Sequence, residues 1–323
     1  MLTNYDNFDS IIANKSSIIH RREDYVAFFK INEGIMKKNK SKIIILLIII
    51  FMIITFVLFK YLYSQSNINI ENLLNKQYTS NFVKKLHTSN NYKDYRGESI
   101  NIAVIDSGVN KDHKDFSSNI KTGYNFIDNI DTTEDLNGHG TQVVGIISSI
   151  DNTIGLAGIA PKAQIYPLKI LDDKGRSKVN KVIEALDWCI ENNIDLINLS
   201  FSTNILNSEL FEKINEVSDS GIIVVASYSN LNNTYDYPAM YNNVIGVKAT
   251  KAKKIIVNND IVYAYGNKVV TTNNNGEYIQ VSGNSFATAH VTGVVALIIE
   301  KYREEGESVN ISAIRNELKT IFN

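Results

Sequence analysis

Five short, almost continuously apolar segments constrain the fold of this chain more than any other feature. They read INIAVID (100–106), QIYPLKI (164–170), IDLINLS (194–200), GIIVVAS (221–227) and NVIGVKA (243–249). Amphipathic segments with helical spacing lie between or after them: TQVVGIISSI, VNKVIEALDWCIENN, SELFEKINEVSDS and SFATAHVTGVVALIIEKY. Apolar strands that alternate with helices are typical of a parallel sheet with both faces covered. The sequence therefore predicts an α/β domain over residues 80–323, built on a mostly parallel, doubly wound sheet.

Composition and charge fit a globular domain and give no reason to expect nucleic acid as a partner. Of the 323 residues, 44% are hydrophobic and 21% are charged, and the formal net charge is -1. Nucleic-acid binding usually requires a concentration of positive charge. The single cysteine, Cys189, excludes an internal disulfide and lies inside a helical segment. We interpret Cys189 as a buried structural thiol rather than a nucleophile.

A further apolar segment differs from the five strands in its length. The run IIILLIIIFMIITFVLF covers residues 43–59 with Thr55 as its one polar residue, and KYLY extends it to Tyr63. A helix of this length can cross the ~30 Å hydrocarbon core of a bilayer. A signal peptide would be followed by a small-residue cleavage site, and a core helix would have a polar face. The run has neither, so the sequence predicts a transmembrane helix over residues 43–63.

The charges that flank this run predict its orientation. Four lysines lie between residues 37 and 42, on the N-terminal side of the run. On its C-terminal side only Lys60 and Lys76 lie nearby. Because positive residues stay on the cytoplasmic side, we expect a single-pass protein of the cell membrane with its N-terminus in the cytoplasm. The predicted organisation is a cytoplasmic segment (1–42), a membrane span (43–63), a polar spacer (64–79) and an extracytoplasmic domain (80–323).

Three glycine-rich junctions beside regular elements carry residue types that catalyse acyl transfer. Asp106 ends the first strand in AVIDSGV, and Ser285 opens a helical segment in GNSFATAH. His139 lies in NGHGT between two glycines, where other backbone can approach closely. Each has an ordinary alternative: a turn-forming carboxylate, a helix-capping serine and a loop histidine. Together they supply a hydroxyl nucleophile, an imidazole that takes its proton and a carboxylate that orients the imidazole, as hydrolysis through an acyl intermediate requires.

The three motifs, in the order Asp, His, Ser, resemble the signature segments of the subtilisin-like serine proteases, the subtilases. The resemblance extends over about residues 75–320 and includes WCIENNIDLINLSFS and YPAMYNNVIGVKAT. It implies a subtilisin-like fold and the roles of Asp106, His139 and Ser285 as the catalytic residues. It also implies a cis peptide bond at Tyr237–Pro238.

The resemblance further assigns residues that contact the substrate. In VVASYSN, Asn230 takes the position of the family's oxyanion asparagine, with the Ser285 N–H as the second donor. Ser200, Phe201 and Ser202 take the position of the substrate-binding edge. Because the chain departs from the usual residues near this site, we do not expect family-typical specificity. The departures are Asn284 for threonine, Ala289 for proline, and Ser202 and Ser229 for glycine.

A structural calcium site is another implication of the resemblance. Asp115 matches the family's calcium carboxylate, and DNTIGLAGIAPKAQIYPLKIL contains the matching loop. Oxygen ligands of this kind suit calcium, and the alternative is a polar loop without metal. The implied ligands are Asp115, Asn152, the backbone carbonyls of Ile150, Ile154 and Leu156, and the side chain of Gln77. Two other histidines that match family positions, His113 and His290, are interpreted as structural.

From these observations we expect a membrane-anchored serine endopeptidase that cleaves peptides or proteins outside the cytoplasm. Tethering favours one dedicated substrate, such as the precursor of a secreted peptide, over general degradation. The spacer 64–79 is too short for the family's folded pro-domain. The alternative is a catalytically impaired subtilase derivative that acts as a binding or regulatory protein. The complete set of Asp106, His139, Ser285 and Asn230 favours the enzyme, because a binding module needs none of them.

Overall fold

The computed structural model of the protein describes residues 26, 27, 30, 42, 44–58, 76–116, 118–231 and 235–321. The chain divides into two compact units, residues 1–68 and residues 69–323. In the first unit, residues 44–58 form an exposed helix of largely apolar residues. Among the residues described above, no helix has both the length and the apolarity to cross a membrane.

Parts of the predicted organisation lie outside the described residues. These parts are nearly all of the segment 1–42, residues 43 and 59–63 of the membrane span, and residues 64–75 of the spacer. The membrane span and the domain boundaries drawn around it therefore stay predictions.

The second unit contains one large sheet and one two-stranded sheet. The strands of the large sheet are β1 (Asn101–Asp106), β2 (Tyr124–Asn125), β3 (Gln164–Lys169), β4 (Leu196–Leu199), β5 (Ile223–Ser227), β6 (Ile245–Thr250), β7 (Ile256–Asn258) and β8 (Ile261–Tyr265). Their order is β2-β3-β1-β4-β5-β6-β8-β7, and every neighbouring pair is parallel except β7 with β8. The small sheet is the antiparallel pair β9 (Val269–Thr272) and β10 (Tyr278–Val281).

Helices cover both faces of the large sheet. They are α1 (Asn81–His87), α2 (His139–Ser148), α3 (Val179–Glu191), α4 (Ser208–Asp219), α5 (Asn284–Glu304) and α6 (Ile311–Thr320). In β1, Ile102 and Val104 belong to a core shared with α1, α2, α5 and α6, whereas Ala103 and Ile105 belong to a core shared with α3 and α4. Because side chains alternate between the two faces of a strand, these are cores on opposite sides of one sheet. The predicted mostly parallel α/β sheet with helices on both faces is confirmed.

The apolar pattern identified most of this framework. The five predicted strands correspond to β1, β3, β4, β5 and β6, and the predicted helices correspond to α2, α3, α4 and α5. The pattern missed β2, α1, α6 and the four strands from β7 to β10. Residues 251–281, which hold those four strands, are rich in lysine and asparagine. The apolar runs in this segment, such as IVYAY (261–265), are short and lie between polar residues, so they were not recognised as strands.

Two smaller predictions are also confirmed. Cys189 is completely buried in α3, and burial raises the pKa of its thiol well above the ordinary value. A thiol that stays protonated is a poor nucleophile, which agrees with a structural role. The Tyr237–Pro238 peptide bond is cis.

The parallel strands bring three chain segments to one edge of the sheet. Ile105 of β1 pairs with Leu199 of β4, and Leu199 pairs with Ala226 of β5. The residues that follow these positions, among them Asp106 and Ser200, therefore emerge side by side. In open α/β sheets, the crevice beyond the carboxyl ends of the strands is the usual place for a binding site.

Candidate active site

Asp106 and His139 meet where β1 ends and α2 begins. Asp106 is fully buried, and its Oδ1 and Oδ2 lie 2.9 and 3.0 Å from Nδ1 of His139. The backbone N–H of Ser107 also donates to Asp106 Oδ1, at 2.8 Å. A carboxylate can only accept, so Nδ1 of His139 carries the proton and Nε2 is left with its lone pair. This is the tautomer that a general base requires.

The surroundings of His139 raise its pKa above 6.5. Burial alone would lower the pKa, but the charge and hydrogen bond of Asp106, with a further contribution from the charge of Asp135, outweigh the effect of burial. The side chain of His139 remains 26% exposed, so one edge of the ring can be reached from solvent. The site therefore stabilises the imidazolium that forms when His139 accepts a proton.

Asp135 holds the loop that carries His139, a role that the sequence analysis missed. Its Oδ1 accepts from the Ser107 hydroxyl at 2.9 Å and from the Gly138 N–H at 2.7 Å. Its Oδ2 accepts from the backbone N–H and the hydroxyl of Thr141, at 2.9 and 2.7 Å. The only signal in the sequence was an acidic residue four positions before the histidine. In a polar loop such a residue is normally interpreted as a solvated charge.

Lys169 is a second residue that the sequence analysis missed. It lies at the end of β3 and is only 6% exposed. Its Nζ donates to the carbonyl of Ser107 at 2.7 Å and to the carbonyl of Glu134 at 2.9 Å. Ser107 follows Asp106, and Glu134 precedes Asp135. The lysine therefore joins the segment after Asp106 to the loop that contains Asp135.

The glycines around His139 allow the close backbone approach that the sequence predicts. Gly138 precedes α2 with φ +98°, a backbone conformation that favours glycine. A Cβ at Gly140 would lie 2.1 Å from the carbonyl oxygen of Gly108. A side chain at position 140 would therefore push α2 away from the loop that follows Asp106.

Ser285 is the second residue of α5 and is 9% exposed. Its hydroxyl donates to the Ser200 carbonyl at 2.8 Å, and the Ser200 hydroxyl donates to the Ser285 carbonyl at 3.2 Å. The ring of Phe286, the next residue, lies 5.7 Å from the ring of His139 between centroids. Within the described chain, the Ser285 hydroxyl is directed at Ser200 and not at the imidazole. The helix-capping alternative for Ser285 is wrong, because Gly283 is the N-cap residue.

Asn230 contacts the N-terminus of α5. Its Oδ1 accepts from the backbone N–H of Asn284 at 2.9 Å. Its carboxamide rests against Gly283, where a Cβ would be 3.3 Å from Nδ2. Asn230 thus contacts the two residues that precede Ser285, and it is an exposed residue.

Comparison with known proteins identifies the family of this chain. The family model described as the subtilase family matches residues 97–320. Subtilisin DY from Bacillus licheniformis is 32% identical over 237 residues, which cover 70% of this chain and 84% of that protein. The chain belongs to the subtilase family.

Other relatives and a solved structure agree with this assignment. The minor extracellular protease Epr of Bacillus subtilis (strain 168) is 36% identical over 231 residues, which cover 69% of this chain and 35% of Epr. The crystal structure of a cold adapted subtilisin-like serine proteinase superposes with a TM-score of 0.60 at 27% identity, covering 70% of this chain and 83% of that one. The chain therefore has the subtilisin-like α/β fold. It is a subtilisin-family serine endopeptidase, which acts on peptide or protein substrates.

The predicted substrate-binding edge of this subtilase follows β4 directly. Ser200 is buried, whereas Phe201 and Ser202 are partly exposed. Thr203, the next residue, forms an antiparallel bridge with Tyr237, with N–H···O distances of 2.9 and 2.8 Å. The edge is therefore joined on one side to the residue that precedes the cis proline.

Four of the predicted calcium residues, Asp115, Gln77, Ile150 and Leu156, are joined by hydrogen bonds beside β10. Asp115 is buried, and its carboxylate accepts from the Leu156 N–H at 2.7 Å and from the Tyr278 hydroxyl at 2.9 Å. Burial raises the pKa of Asp115 to about 6. The Gln77 side-chain amide lies 3.1 Å from the carbonyl oxygen of Ile150 and 3.4 Å from that of Leu156. Two backbone carbonyls thus converge on one polar side chain.

The other predicted calcium ligands, Asn152 and Ile154, are hydrogen-bonded to each other within the loop. Asn152 Oδ1 accepts from the Ile154 N–H at 2.8 Å. In the parts of the chain that the structure describes, no three His, Cys, Asp or Glu side chains form a metal cluster. An ion here would depend on one carboxylate and on uncharged oxygens. Calcium accepts both kinds of ligand, so the donor set fits it.

The two histidines interpreted as structural are both buried. His113 Nε2 lies 3.0 Å from the Glu277 carbonyl, and His290 Nδ1 lies 2.8 Å from the Phe286 carbonyl. Burial lowers the pKa of both, that of His290 to about 4. Both imidazoles are therefore neutral in the folded protein at neutral pH.

Proposed function

We propose that Asp106, His139 and Ser285 are the catalytic triad of this serine endopeptidase. The observation that carries the proposal is the contact of both Asp106 oxygens with His139 Nδ1, at 2.9 and 3.0 Å. This contact orients the imidazole and leaves Nε2 to accept a proton. The proximity of Phe286 to the His139 ring supports the placement of Ser285 next to the imidazole.

In this mechanism the Ser285 hydroxyl leaves the Ser200 carbonyl and turns about its Cα–Cβ bond towards His139. Nε2 takes the hydroxyl proton while Oγ attacks the scissile carbonyl carbon. Asp106 stabilises the resulting imidazolium, which then gives its proton to the leaving amine. The acyl group remains on Ser285 as an ester. A water molecule that is deprotonated by His139 cleaves the ester and restores the serine.

The negative charge that develops on the carbonyl oxygen needs donors. In the proposal these are Asn230 Nδ2 and the backbone N–H of Ser285. The Ser285 N–H belongs to the first turn of α5, where N–H groups have no partner within the helix. Donors held in place before the reaction stabilise the transition state more than the bound substrate.

A catalytically impaired binding or regulatory protein is the second candidate. The observation that favours it is the hydrogen bond of the Ser285 hydroxyl to Ser200, which directs the nucleophile away from His139. The two candidates differ in whether Ser285 can rotate and react.

A fluorophosphonate probe and a peptide library distinguish the two. The full-length chain should be labelled at Ser285 and should cleave peptides. Ser285→Ala should lose the label and reduce kcat by about 10⁴-fold or more. Ser282→Ala is the matched control, because this exposed serine lies three positions earlier and should not affect either readout. Labelling of Ser285→Ala would contradict the proposed nucleophile, and a folded wild-type chain without label would support the regulatory candidate.

The proposal includes a membrane anchor. Residues 43–63 would span the bilayer and place the catalytic domain outside the cytoplasm. The support is the apolar run itself and the lysines on its N-terminal side. A tethered peptidase meets the peptides that pass through its own membrane. The proposed substrate class is therefore a dedicated secreted precursor peptide.

The proposal also includes a structural calcium ion held by Asp115, Gln77 and the loop carbonyls of residues 150–156. A rotation of the Gln77 amide by half a turn would present its oxygen beside the Ile150 and Leu156 carbonyls. When bound, the ion would balance the negative charge of the Asp115 carboxylate and the partial negative charges of the other ligand oxygens. Its role would be to fasten the N-terminal segment to the loop, away from the chemistry.

A further inference from the structure

The residue before the proposed nucleophile, Asn284, uses its whole carboxamide in hydrogen bonds to other elements. Its Oδ1 accepts the Ala249 N–H at 2.7 Å. Its Nδ2 donates to the Tyr228 carbonyl at 3.1 Å and to the Ser229 carbonyl at 2.7 Å. Exchanging the oxygen and the nitrogen would set donor against donor and acceptor against acceptor, so the orientation of the amide is determined by its partners.

These partners lie on, or directly after, two adjacent strands of the large sheet. Tyr228 and Ser229 follow β5 directly and lead to Asn230, and Ala249 belongs to β6. Asn284 itself is the first residue of α5. Its side chain therefore fastens the start of α5 to the segment that carries Asn230. The peptide units of residues 228 and 229 cannot tilt without losing these bonds.

The backbone beside Asn284 completes the support of Asn230. The Asn284 N–H donates to Asn230 Oδ1 at 2.9 Å. In a planar carboxamide, holding the oxygen in this way directs the nitrogen to the other side. Gly283 leaves room for the group, since a Cβ there would lie 3.3 Å from Nδ2 and 3.4 Å from Oδ1. The Asn230 carboxamide is thus held through its oxygen by the backbone of Asn284 and has room beside Gly283.

We propose that Asn284 is a positioning residue, whose side chain sets the segment 228–230 so that Asn230 Nδ2 is aimed at the oxyanion. This inference rests on the proposed oxyanion role of Asn230. Asn284 stands where the family usually has threonine, and Ser229 stands where it usually has glycine. The direct bond from Asn284 Nδ2 to the Ser229 carbonyl links these two departures. A misplacement of ~1 Å at a reacting group can cost about 10²-fold in rate, so such a bond has a kinetic consequence.

The alternative is that Asn284 only stabilises the fold. Both roles predict a lower melting temperature when the side chain is removed. Only the positioning role predicts that kcat falls while KM is kept, and that the effect disappears once Asn230 is absent. A double-mutant cycle between Asn284 and Asn230 distinguishes the positioning role from the purely structural role.

The cycle is measured on the full-length chain with the best-cleaved fluorogenic peptide of a library. We expect Asn284→Ala to lower kcat by about 10- to 100-fold and to change KM by less than about twofold. Asn230→Ala should lower kcat by about 10²- to 10³-fold. The double variant should be no slower than Asn230→Ala alone. Multiplied effects in the double variant would overturn the inference.

Further variants keep the test decisive. If Asn284→Ala does not fold, Asn284→Asp replaces it in the cycle, because the aspartate keeps the bond to Ala249 and loses the two donors.

Asn243→Ala is the matched control. Asn243 is a partly buried asparagine that donates to the Ile214 carbonyl at 3.3 Å, and the kcat of this variant should change by less than about twofold. Full kcat in Asn230→Ala would reject the proposed oxyanion role itself. A slow Asn230→Ala beside a fully active Asn284→Ala would reject only the positioning role.

Discussion

Asp135 acts on His139 both through its charge and through the loop that it holds. Its charge contributes to the raised pKa of His139, although burial of the imidazole opposes that shift. Its two oxygens also accept hydrogen bonds from Ser107, Gly138 and Thr141. One buried carboxylate therefore affects both the basicity and the position of the imidazole.

Asp135→Asn separates these effects through the pH dependence of activity. With one stabilising charge removed, the pKa of His139 should fall, and the acid limb of kcat/KM should move to lower pH. The new NH₂ group would face a donor, so kcat at neutral pH should also fall by about 10-fold. Asp131→Asn, an exposed carboxylate of the same loop, is the matched control. An acid limb that stays in place in Asp135→Asn would show that the charge of Asp135 does not reach His139.

At the scale of elements, the loop between α2 and β3 is joined to β10 through Asp115. The carboxylate receives the Leu156 N–H from the loop and the Tyr278 hydroxyl from β10. The loop carbonyls of Ile150 and Leu156 point towards Gln77. A cation at this junction would connect three chain segments that are far apart in sequence.

Calcium should therefore raise the melting temperature of the full-length chain. At calcium concentrations about 100 times Kd, the expected gain is about 3 kcal/mol, or roughly 5–10 °C. Asp115→Asn should remove this calcium-dependent increment, whereas Asp151→Asn, an exposed carboxylate on the same loop, should retain it. Magnesium should not substitute, because it is smaller and gives up its water less readily. An unchanged melting temperature at millimolar calcium would argue against the site.

At the scale of the whole molecule, His290 couples stability to pH. It is buried in α5, and its folded-state pKa is lowered to about 4 from 6.5. Between these two values the unfolded chain binds a proton that the folded chain does not. The stability that the neutral, buried His290 contributes is therefore fully present above about pH 6.5 and is lost as the pH falls towards 4.

His290→Leu should remove this part of the acid sensitivity. Between pH 7 and pH 5 the wild-type free energy of unfolding should fall by about 2 kcal/mol more than that of the variant. The leucine variant loses edge contacts with the rings of Phe82 and Tyr265, so its stability at pH 7 should be lower. Denaturant unfolding at the two pH values measures the difference. Equal losses in both proteins would mean that other groups cause the acid sensitivity.

The proposed topology is also a property of the whole molecule. On intact cells, an added protease should digest the domain 80–323 and spare residues 1–42. The physical reason is the excess of lysine on the N-terminal side of the apolar run. Antibodies to tags at the two ends would follow the fragments, and permeabilised cells are the control. Protection of the C-terminal domain with loss of the N-terminal segment would reverse the orientation.

The sequence by itself determined the parallel α/β framework, the Asp, His and Ser motifs and the family. Continuous apolar strands, amphipathic helices and short glycine-rich junctions are local patterns, and each can be recognised within a few residues. The sequence also contained the residue types for a general base and a nucleophile, and hydrolysis through an acyl intermediate requires both. It did not identify the strands between residues 251 and 281, because the apolar runs there, such as IVYAY (261–265), are short and lie among lysine and asparagine residues.

Only the tertiary structure decided which polar groups meet. The Ser285 hydroxyl bonds to Ser200, 85 positions away, and the Asn284 amide bonds to Ser229, 55 positions away. Lys169 reaches the carbonyl of Ser107 across 62 positions. A sequence pattern reports spacing along the chain, whereas a hydrogen bond requires donor and acceptor to lie within about 3 Å in space. The folded sheet creates that proximity, so the groups that position the proposed catalytic residues could be found only from the folded structure.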